Sequence, residues 1–262
     1  MREEIVESPL TLRRKIRAGR FTGLTTGQAP GFVQCNLAIV PAADAADFVS
    51  FCRANAAACP VLAVGAPGDP RLPDLGLDLD VRTDLPGYWV YQSGRKDRVS
   101  DIRPLWRPDH VAVAIGCWFS MEDALLRAGV RLRHLELGLQ GPLFRTARST
   151  HAVGRFGGPL VVSMRPFSAK DVATVKAVTA RFPRVHGAPL HEGGPEALGI
   201  SPTAPPDFGE PLAVLPGEVP LFWGCGLTAL AALERAQLPL FMTHAPGAML
   251  VTDRRNSELE QA

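Results

Sequence analysis

One pattern, an apolar strand that enters a helix through a Gly-Cys turn, constrains the fold of this chain most. Residues 111–128 read VAVAIGCWFSMEDALLRA, in which a run of β-branched and small apolar residues stops at Gly116-Cys117. A helix pattern begins at once, with Ser120 placed to cap it, Asp123 three residues later as in a capping box, and Gly129 to end it. The pattern predicts a buried strand followed directly by a capped helix.

The same pattern occurs a second time near the end of the chain. Residues 219–236 read VPLFWGCGLTALAALERA, and alignment of Cys117 with Cys225 matches Gly, Ala, Leu, Arg and Ala in register. Thr228 falls opposite Ser120, so both copies offer a hydroxyl N-cap. The repeat predicts an α/β fold with mixed, mostly parallel sheets and flanking helices, built from two related halves in a pseudo-two-fold duplication. Because ligands bind where such strands end, we expect the two cysteines to border one cleft.

The duplication divides the chain into four predicted segments. These are an N-terminal helix and loop (residues 1–30), a first α/β half (31–150), a second α/β half packed against the first (151–253) and a frayed tail (254–262). Ser8 as N-cap and Pro9 at the first helical position predict the opening helix. The Ser93-Gly94 turn after Trp89 predicts an antiparallel hairpin.

Composition excludes several classes of protein. With 46% hydrophobic and 21% charged residues among 262, the chain fits a compact soluble fold rather than a disordered one. A net charge of +2 gives no reason to expect nucleic acid as a partner. Five cysteines without a CxxC pair argue against a disulfide framework or structural zinc, and no signal peptide or membrane-length apolar run is visible. We therefore expect a cytoplasmic protein that binds a small molecule and no membrane. The sequence leaves the oligomeric state open, and a homodimer is one possibility.

Several polar residues stand where strands meet turns and could bind an anion. Thr26 and Gln28 lie in the glycine-rich loop TTGQAPG, which matches neither the phosphate-loop nor the dinucleotide pattern. Arg165 ends the apolar run LVVSM just after Ser163, and Arg82 follows the alternating segment LDLDV. The arginine fork binds carboxylates through two hydrogen bonds, so we predict that Arg165, slightly ahead of Arg82, anchors a carboxylate in the main cleft beside a loop histidine.

Three histidines lie in loops and could transfer protons near neutral pH. His186 and His191 are five residues apart in a glycine- and proline-rich loop, and His244 lies in the tight loop THAPG. For each of them a structural role is equally compatible with the sequence. A third metal ligand with telling spacing is lacking, so neither a metal nor a cofactor is predicted.

Eight segments, taken in order, resemble one known family. They read TGQAPGFVQCNLAIVP, DFVSFCRAN, VRTDLPGYWVY, GCWFSMEDALLRAGV, VVSMRP, HGAPLH, VPLFWGCGLT and THAPGAMLVTD. Together they resemble the hydro-lyase family now called the D-glutamate cyclase family, over nearly the whole chain from about Arg13 to Asp253. The sequence departs from the family at four positions, where the family usually has serine, phenylalanine, aspartate and histidine: Trp118, Met121, Gly194 and Ala248. The resemblance implies the family fold, while these departures leave the substrate open.

The family name implies closure of D-glutamate to 5-oxo-D-proline with loss of water. Such a reaction needs a cation for the α-carboxylate, a base for the ammonium group and an acid for the departing oxygen. The predicted catalytic residues are His186, His191, His244, Cys117, Cys225, Asp84 and Glu122. The predicted substrate-binding residues are Arg165, Arg82, Thr83, Ser163, Thr26, Gln28, Asn36, Ser120, Thr228 and Thr243.

Two other functions stay open at this point. Two cysteines facing each other across a pocket would resemble a cofactor-independent amino-acid racemase or epimerase, because a helix N-terminus lowers a cysteine pKa. The simpler interpretation is that Cys117 and Cys225 are small residues fitting under tight turns. A non-catalytic cytoplasmic protein that binds a small molecule is the remaining alternative.

Overall fold

The computed structural model describes residues 7–261, which form two compact units, each made of separated segments. The first unit contains residues 7–45, Leu62–Ile115 and Leu238–Glu258. The second unit contains Ala46–Val61, Gly116–Gln237 and residues 259–261. Each unit has its own β-sheet, so each is described by itself.

The helices and strands follow one another along the chain as follows. The helices are α1 (Pro9–Arg17), α2 (Ala42–Ala54), α3 (Glu122–Arg127), α4 (Arg133–Glu136), α5 (Val172–Ala180) and α6 (Leu227–Ala236). The strands are β1 (Phe32–Pro41), β2 (Val61–Val64), β3 (Tyr88–Gln92), β4 (Arg95–Val99), β5 (His110–Gly116), β6 (Leu143–Ser149), β7 (Pro159–Ser168), β8 (His191–Glu192), β9 (Glu218–Gly224), β10 (Leu240–His244) and β11 (Leu250–Arg255). Among residues 7–261, no helix is both long enough and apolar enough to span a membrane.

The sheet of the first unit has seven strands in the order β2-β5-β1-β10-β3-β4, with β11 also paired to β1. Strand β1 is antiparallel to β10 and β11, and β10 is antiparallel to β3. The predicted hairpin is confirmed: β3 and β4 are antiparallel neighbours, and the left-handed backbone of Ser93 and Gly94 makes the tight turn. Residues after Arg254, predicted to be frayed, continue β11 to Arg255 and then form a 3₁₀ turn, Asn256–Leu259.

The sheet of the second unit has four antiparallel strands in the order β6-β7-β9-β8. Residues paired across an antiparallel ladder point to the same face. Met164 of β7 pairs with Phe222 of β9, so one face is apolar. Ser163 pairs with Trp223, and Arg165 belongs to the same opposite face. This opposite face is also largely apolar, and Arg165 is a charged residue among the apolar side chains Val161, Phe167, Leu221 and Trp223.

The prediction of mostly parallel sheets related by a pseudo-two-fold is wrong. Strand β5 belongs to the seven-stranded sheet and is followed by a 3₁₀ turn, Trp118–Met121, before the short helix α3. Strand β9 belongs to the four-stranded sheet and leads into the ten-residue helix α6. The sequence pattern describes a local strand-turn-helix path, whereas the direction of pairing depends on strands that are distant in the sequence.

The predicted helix caps are correct at one position and wrong at two. Ser8 caps α1, and its hydroxyl accepts a hydrogen bond from the Thr11 N–H at 3.2 Å. Ser120, predicted as a cap, lies inside the 3₁₀ turn. Thr228 lies within α6, where its hydroxyl accepts from the Val161 N–H at 2.9 Å and is 3.2 Å from the Val161 carbonyl oxygen. The side chains of Ser120 and Thr228 are both buried among other residues and do not cap a helix end.

Candidate functional site

Arg165 of β7 is a fully buried arginine in the second unit. Its Nη1 donates to the Met164 carbonyl oxygen at 2.8 Å, and its Nη2 donates to that of Gln140. Its guanidinium carbon lies 5.0 Å from the centre of the Trp118 ring, in cation–π contact. Among the described residues, no carboxylate lies within ion-pair distance of it. Arg165 is thus a buried cation whose charge has no direct anionic partner.

The backbone at Gly141 makes room for this arginine. Gly141 has a left-handed backbone with φ +84°, and a Cβ atom there would lie 2.7 Å from Nη1 of Arg165. Only glycine allows the preceding Gln140 carbonyl to approach the guanidinium group so closely. The turn before β6 therefore supports the position of the arginine.

Glu122 and His134 form a buried pair near this arginine. Oε1 of Glu122, at the start of α3, lies 2.8 Å from Nε2 of His134 in α4. Burial raises the pKa of Glu122 to about 8, although the positive charge of Arg165 acts in the opposite direction. Burial, reinforced by Arg165, lowers the pKa of His134 to about 2. Near neutral pH the imidazole is therefore neutral, and the Glu122 carboxyl is close to its titration point.

Four buried polar atoms in this part of the second unit have no hydrogen-bond partner. They are Nε1 of Trp118, Oγ of Ser120, Oγ of Ser163 and Nε of Arg165. All four residues are at most 3% exposed. Trp118 and Ser120 are two residues apart in the chain, the other two residues lie on β7, and the contact of Arg165 with the Trp118 ring joins the two pairs. Buried polar groups in folded proteins almost always have a partner, so these four atoms indicate a place for a polar ligand or ordered water.

Cys117 and Cys225 also belong to this cluster. Both are partly exposed, and both act electrostatically on Arg165. Burial of the Cys225 thiol raises its pKa to about 11, and the Leu227 N–H and Arg165 only partly offset this effect. The expected lowering of the pKa at a helix N-terminus is therefore wrong for Cys225, because desolvation outweighs the helix. Whether the two cysteines border one cleft remains a prediction.

The loop histidines of the second unit are held by backbone groups. Nδ1 of His186 lies 3.0 Å from the Ala57 carbonyl oxygen, and burial lowers the pKa of His186 to about 4. His191 bonds the Gly194 carbonyl oxygen at 2.7 Å, and its ring lies 5.6 Å from that of Phe222, on the sheet face opposite Arg165. Within residues 7–261, no three His, Cys, Asp or Glu side chains are grouped as metal ligands.

Two predicted site residues of the first unit, Arg82 and Asp84, form ion pairs with nearby residues of the same unit. Arg82 donates to both oxygens of Asp80, with Nη2 at 2.7 Å, whereas Arg165 has no such carboxylate partner among the described residues. Asp84 is fully buried and is held by Arg17, with Nη2 at 2.6 Å, and by the Asp80 N–H at 2.9 Å. The Thr83 hydroxyl donates to Asp84 at 3.2 Å. Arg82 and Asp84 thus form ion pairs within the fold, and the roles in binding and catalysis that the sequence suggested for them stay predictions.

The other predicted residues of the first unit lie close to backbone groups. Nδ1 of His244 accepts from the Leu37 N–H at 3.2 Å, and burial lowers the pKa of His244 to about 4. The Thr243 hydroxyl donates to the His244 carbonyl oxygen at 3.1 Å. The Asn36 side-chain amide lies 3.5 Å from the Ile115 carbonyl oxygen, and the Gln28 carbonyl oxygen accepts a hydrogen bond from Nε2 of Gln34 at 2.9 Å. The Thr26 hydroxyl is buried and has no hydrogen-bond partner.

A large cavity of the second unit lies on the sheet face that carries Met164 and Phe222. It has a volume of about 730 Å³ and is lined by Phe144, Met164 and Phe222 together with residues 193–220. Glu218, the charged residue in its wall, is held by Arg133 at 2.9 Å. Arg165 does not line this cavity, and no titratable side chain in the cavity wall is unpaired. The cluster around Arg165 is therefore the better candidate site.

Sequence reasoning missed two residues of this cluster. His134 lies in the segment VRLRHLEL, and Trp118 was notable only as a departure from the family pattern. Their rings are 5.4 Å apart, and Trp118 is also 5.5 Å from Trp223. The signal that could have connected Glu122 with His134 is a glutamate on one short helix and a histidine on the next, twelve residues later.

Two antiparallel sheets with flanking helices define a mixed α/β protein, and the buried arginine-carboxyl-histidine cluster is its candidate site for a small polar ligand. Residues 111–253, which include this cluster, match the family described as D-glutamate cyclase. The chain belongs to the D-glutamate cyclase family, as its sequence segments predicted.

Curated relatives agree with this assignment over almost their full length. A protein of Jannaschia sp. named "Putative hydro-lyase" is 51% identical over 243 residues, covering 92% of this chain and 91% of that one. A protein of the same description from Burkholderia multivorans is 51% identical, covering 96% and 97%. A crystal structure of a nitrogen repressor-like protein from Methanococcus jannaschii aligns with a TM-score of 0.38 and 12% identity over 90% of this chain and 91% of that one, a likeness too low to support any conclusion.

Proposed function

We propose that this protein is a hydro-lyase that removes water from a small amino-acid carboxylate, and that D-glutamate, closing to 5-oxo-D-proline, is the substrate. The observation that carries the proposal is the Glu122 carboxyl, whose pKa is raised to about 8, beside a buried Arg165 without its own carboxylate. The family name and the names of the relatives support the reaction class. The reaction as proposed uses no cofactor.

The first step of the proposed reaction is the binding of the α-carboxylate by Arg165. A buried guanidinium group without an anion has lost its hydration and gained no ion pair in return. An incoming carboxylate supplies that partner, and burial makes the attraction stronger than it would be in water. Arg165 is positioned for this role by backbone carbonyls and by Trp118, so the cation is already oriented before the ligand arrives.

The second step is proton transfer during ring closure. The substrate nitrogen attacks the side-chain carboxyl carbon, a C–N bond forms and a C–O bond breaks. The ammonium group loses two protons, and the departing oxygen takes two protons to leave as water. Glu122 can give one proton to this oxygen and regain one from the nitrogen, because its pKa of about 8 keeps both states accessible near neutrality. His134, neutral and 2.8 Å away, positions the carboxyl.

Incubation of the purified protein with D-glutamate, followed by ¹H NMR detection of 5-oxoproline, tests the proposal. Glu122→Gln should lower kcat by about 100-fold or more, the usual contribution of a general acid-base group. Glu136→Gln is the matched control, because Glu136 is paired with Arg131 at the surface and should leave kcat unchanged. Absence of product from either enantiomer of glutamate would refute the reaction, and full activity of Glu122→Gln would refute the assigned acid.

The two-cysteine racemase is the second candidate, because Cys117 and Cys225 both lie near Arg165. The raised pKa of Cys225 argues against a ready thiolate there. The same NMR experiment in D₂O separates the candidates. A racemase would exchange the α-proton for deuterium, whereas ring closure leaves the Cα–H bond intact. Ligand binding without product or exchange would indicate a non-catalytic binding protein.

A further inference from the structure

Trp118 is held in one orientation by three contacts within the second unit. Its ring lies under the Arg165 guanidinium group, whose carbon is 5.0 Å from the ring centre. His134 and Trp223 meet it edge to face, with ring centres 5.4 and 5.5 Å away and interplanar angles of 71° and 67°. Since these neighbours restrict rotation of the indole, the direction of its N–H group is also restricted.

The indole N–H of Trp118 lacks an acceptor although the residue is 3% exposed. Its neighbour Trp223 shows the usual situation, because its Nε1 donates to the Gly187 carbonyl oxygen at 3.1 Å. Two tryptophans in contact thus differ in one respect: one N–H is satisfied by the fold and the other is not. A buried donor without an acceptor destabilises a protein, so its retention calls for an acceptor that the fold does not supply.

The other unpartnered polar atoms on residues near Trp118 and Arg165 indicate what the acceptor is. Nε of Arg165 is a second buried donor without a partner, and neither it nor the indole can accept a hydrogen bond. The unpartnered hydroxyls of Ser120, two residues along the chain, and of Ser163, on the same sheet face as Arg165, can both donate. Unpartnered donors on residues close to a buried cation fit an anionic group with two acceptor oxygens. A carboxylate has this chemistry, whereas a primary amide would direct its own N–H groups at these donors.

We propose that Trp118 is a substrate-binding residue whose indole N–H donates to the same carboxylate that Arg165 holds, with the hydroxyls of Ser120 and Ser163 completing its coordination. The assignment of this group to the α-carboxylate of the substrate rests on the proposed function. Because ring closure leaves the α-carboxylate intact, the product 5-oxo-D-proline should bind through the same donors. Its carboxamide, 5-oxo-D-prolinamide, should bind at least tenfold more weakly.

Replacement of each tryptophan by phenylalanine tests the proposal with a matched pair. Trp118→Phe keeps an aromatic ring and removes the N–H together with one of the two fused rings, and Trp223→Phe, which removes the same atoms, controls for the lost packing. Calorimetry of Trp118→Phe should show about tenfold weaker binding of 5-oxo-D-proline, the scale of a charge-assisted hydrogen bond. The Tm of the ligand-free variant should not fall through loss of a hydrogen bond, because the donor had no partner. Trp223→Phe should lower the Tm, because the Gly187 carbonyl loses its donor, and should bind the ligand like the wild type.

A second measurement uses the wild-type protein and does not depend on the folding of Trp118→Phe. The chain has four tryptophans, so ¹⁵N-tryptophan labelling gives four indole N–H resonances, which Phe variants of the other three assign by elimination. Addition of 5-oxo-D-proline should move the Trp118 proton downfield by more than the Trp223 proton. An unmoved Trp118 resonance in the saturated protein would overturn the proposal.

The outcomes separate this inference from the proposed function. If Trp118→Phe binds 5-oxo-D-proline like the wild type while Arg165→Lys loses affinity, the indole serves a buried water only and the inference fails alone. If D-glutamate gives no product but another small carboxylate binds and loses affinity in Trp118→Phe, the proposed function fails and the inference stands. If no small carboxylate binds the wild type, both fail.

Discussion

Oε1 of Glu122 and Nε2 of His134 lie 2.8 Å apart in the interior of the second unit. Both groups are shifted towards their uncharged forms, since burial raises the pKa of the acid and lowers the pKa of the base. A pair of this kind does not act mainly as a salt bridge. It stores one proton near a buried cation, and its consequences can be measured without knowledge of the substrate.

Glu122→Gln should change how stability depends on pH. The folded protein keeps the Glu122 proton up to a pKa of about 8, whereas the unfolded chain releases it near 4.5. Between these values the folded state binds more protons, so the contribution of Glu122 to the free energy of unfolding falls as pH rises, by at most about 1.4 kcal/mol per pH unit. Urea unfolding from pH 5 to pH 9 should show that the free energy of unfolding of Glu122→Gln increases relative to that of the wild type as pH rises.

His134 changes stability with pH in the opposite direction, and the same experiment must separate the two contributions. Its pKa falls from 6.5 to about 2 on folding, so its contribution is present above 6.5 and is lost as pH falls. Above pH 6.5 the slope therefore belongs to Glu122. Glu136→Gln, a change at an exposed surface pair, provides the control curve. Identical pH slopes in the wild type and Glu122→Gln would show that the carboxyl titrates normally.

Arg165→Lys should weaken ligand binding, whereas Arg82→Lys should not. Lysine keeps the charge of Arg165 but loses the planar fork, so affinity for 5-oxo-D-proline should fall by about 1–3 kcal/mol. Arg82 is occupied by Asp80 and is the matched control. Calorimetric titration of both variants measures the difference. Unchanged affinity in Arg165→Lys would remove the anchor, and an equal loss in both would point to an indirect effect.

Asp84→Asn should act on stability rather than on catalysis. The carboxylate is buried between Arg17, the Asp80 N–H and Arg13, whose Nε lies 3.7 Å away. Burial raises the pKa of Asp84 although Arg17 acts in the opposite direction, so desolvation offsets part of what the ion pairs contribute. Loss of the charge should therefore cost about 1–3 kcal/mol, below the usual cost of breaking a buried ion pair. Chemical denaturation should show this loss, while kcat of the folded variant stays within about twofold of the wild type. A large fall in kcat at full stability would restore the catalytic role that the sequence predicted.

Cys225 should react slowly with iodoacetamide at neutral pH. Its thiol has a pKa of about 11, so only a small fraction is the reactive thiolate, although the residue is partly exposed. Mass spectrometry of the alkylated peptide between pH 7 and pH 10 should show a rate that still rises at pH 10. Cys225→Ser should then keep its rate of product formation within about tenfold. Rapid alkylation at pH 7 that ligand prevents would favour the racemase instead.

Local features of the fold could be predicted because they depend on backbone sterics and hydrogen bonds within a few neighbouring residues. Ser8-Pro9 starts α1, since a hydroxyl and a preset proline φ satisfy the first turn of a helix. Ser93-Gly94 closes the β3–β4 hairpin, since both residues adopt left-handed backbone there. The order of the family segments likewise identified the family, because it does not depend on how the strands pair.

Pairing and charge state were decided only by the assembled protein. The two Gly-Cys segments look alike in the sequence, yet β5 and β9 belong to different sheets, because hydrogen-bond partners come from distant parts of the chain. Arg82 and Arg165 both follow strands, yet Asp80 neutralises the first and burial isolates the second. The pKa of Glu122 likewise depends on residues that surround it only after folding. Conformation over a few residues follows from local sterics and hydrogen bonds, whereas strand direction and desolvation depend on contacts between residues far apart in the sequence.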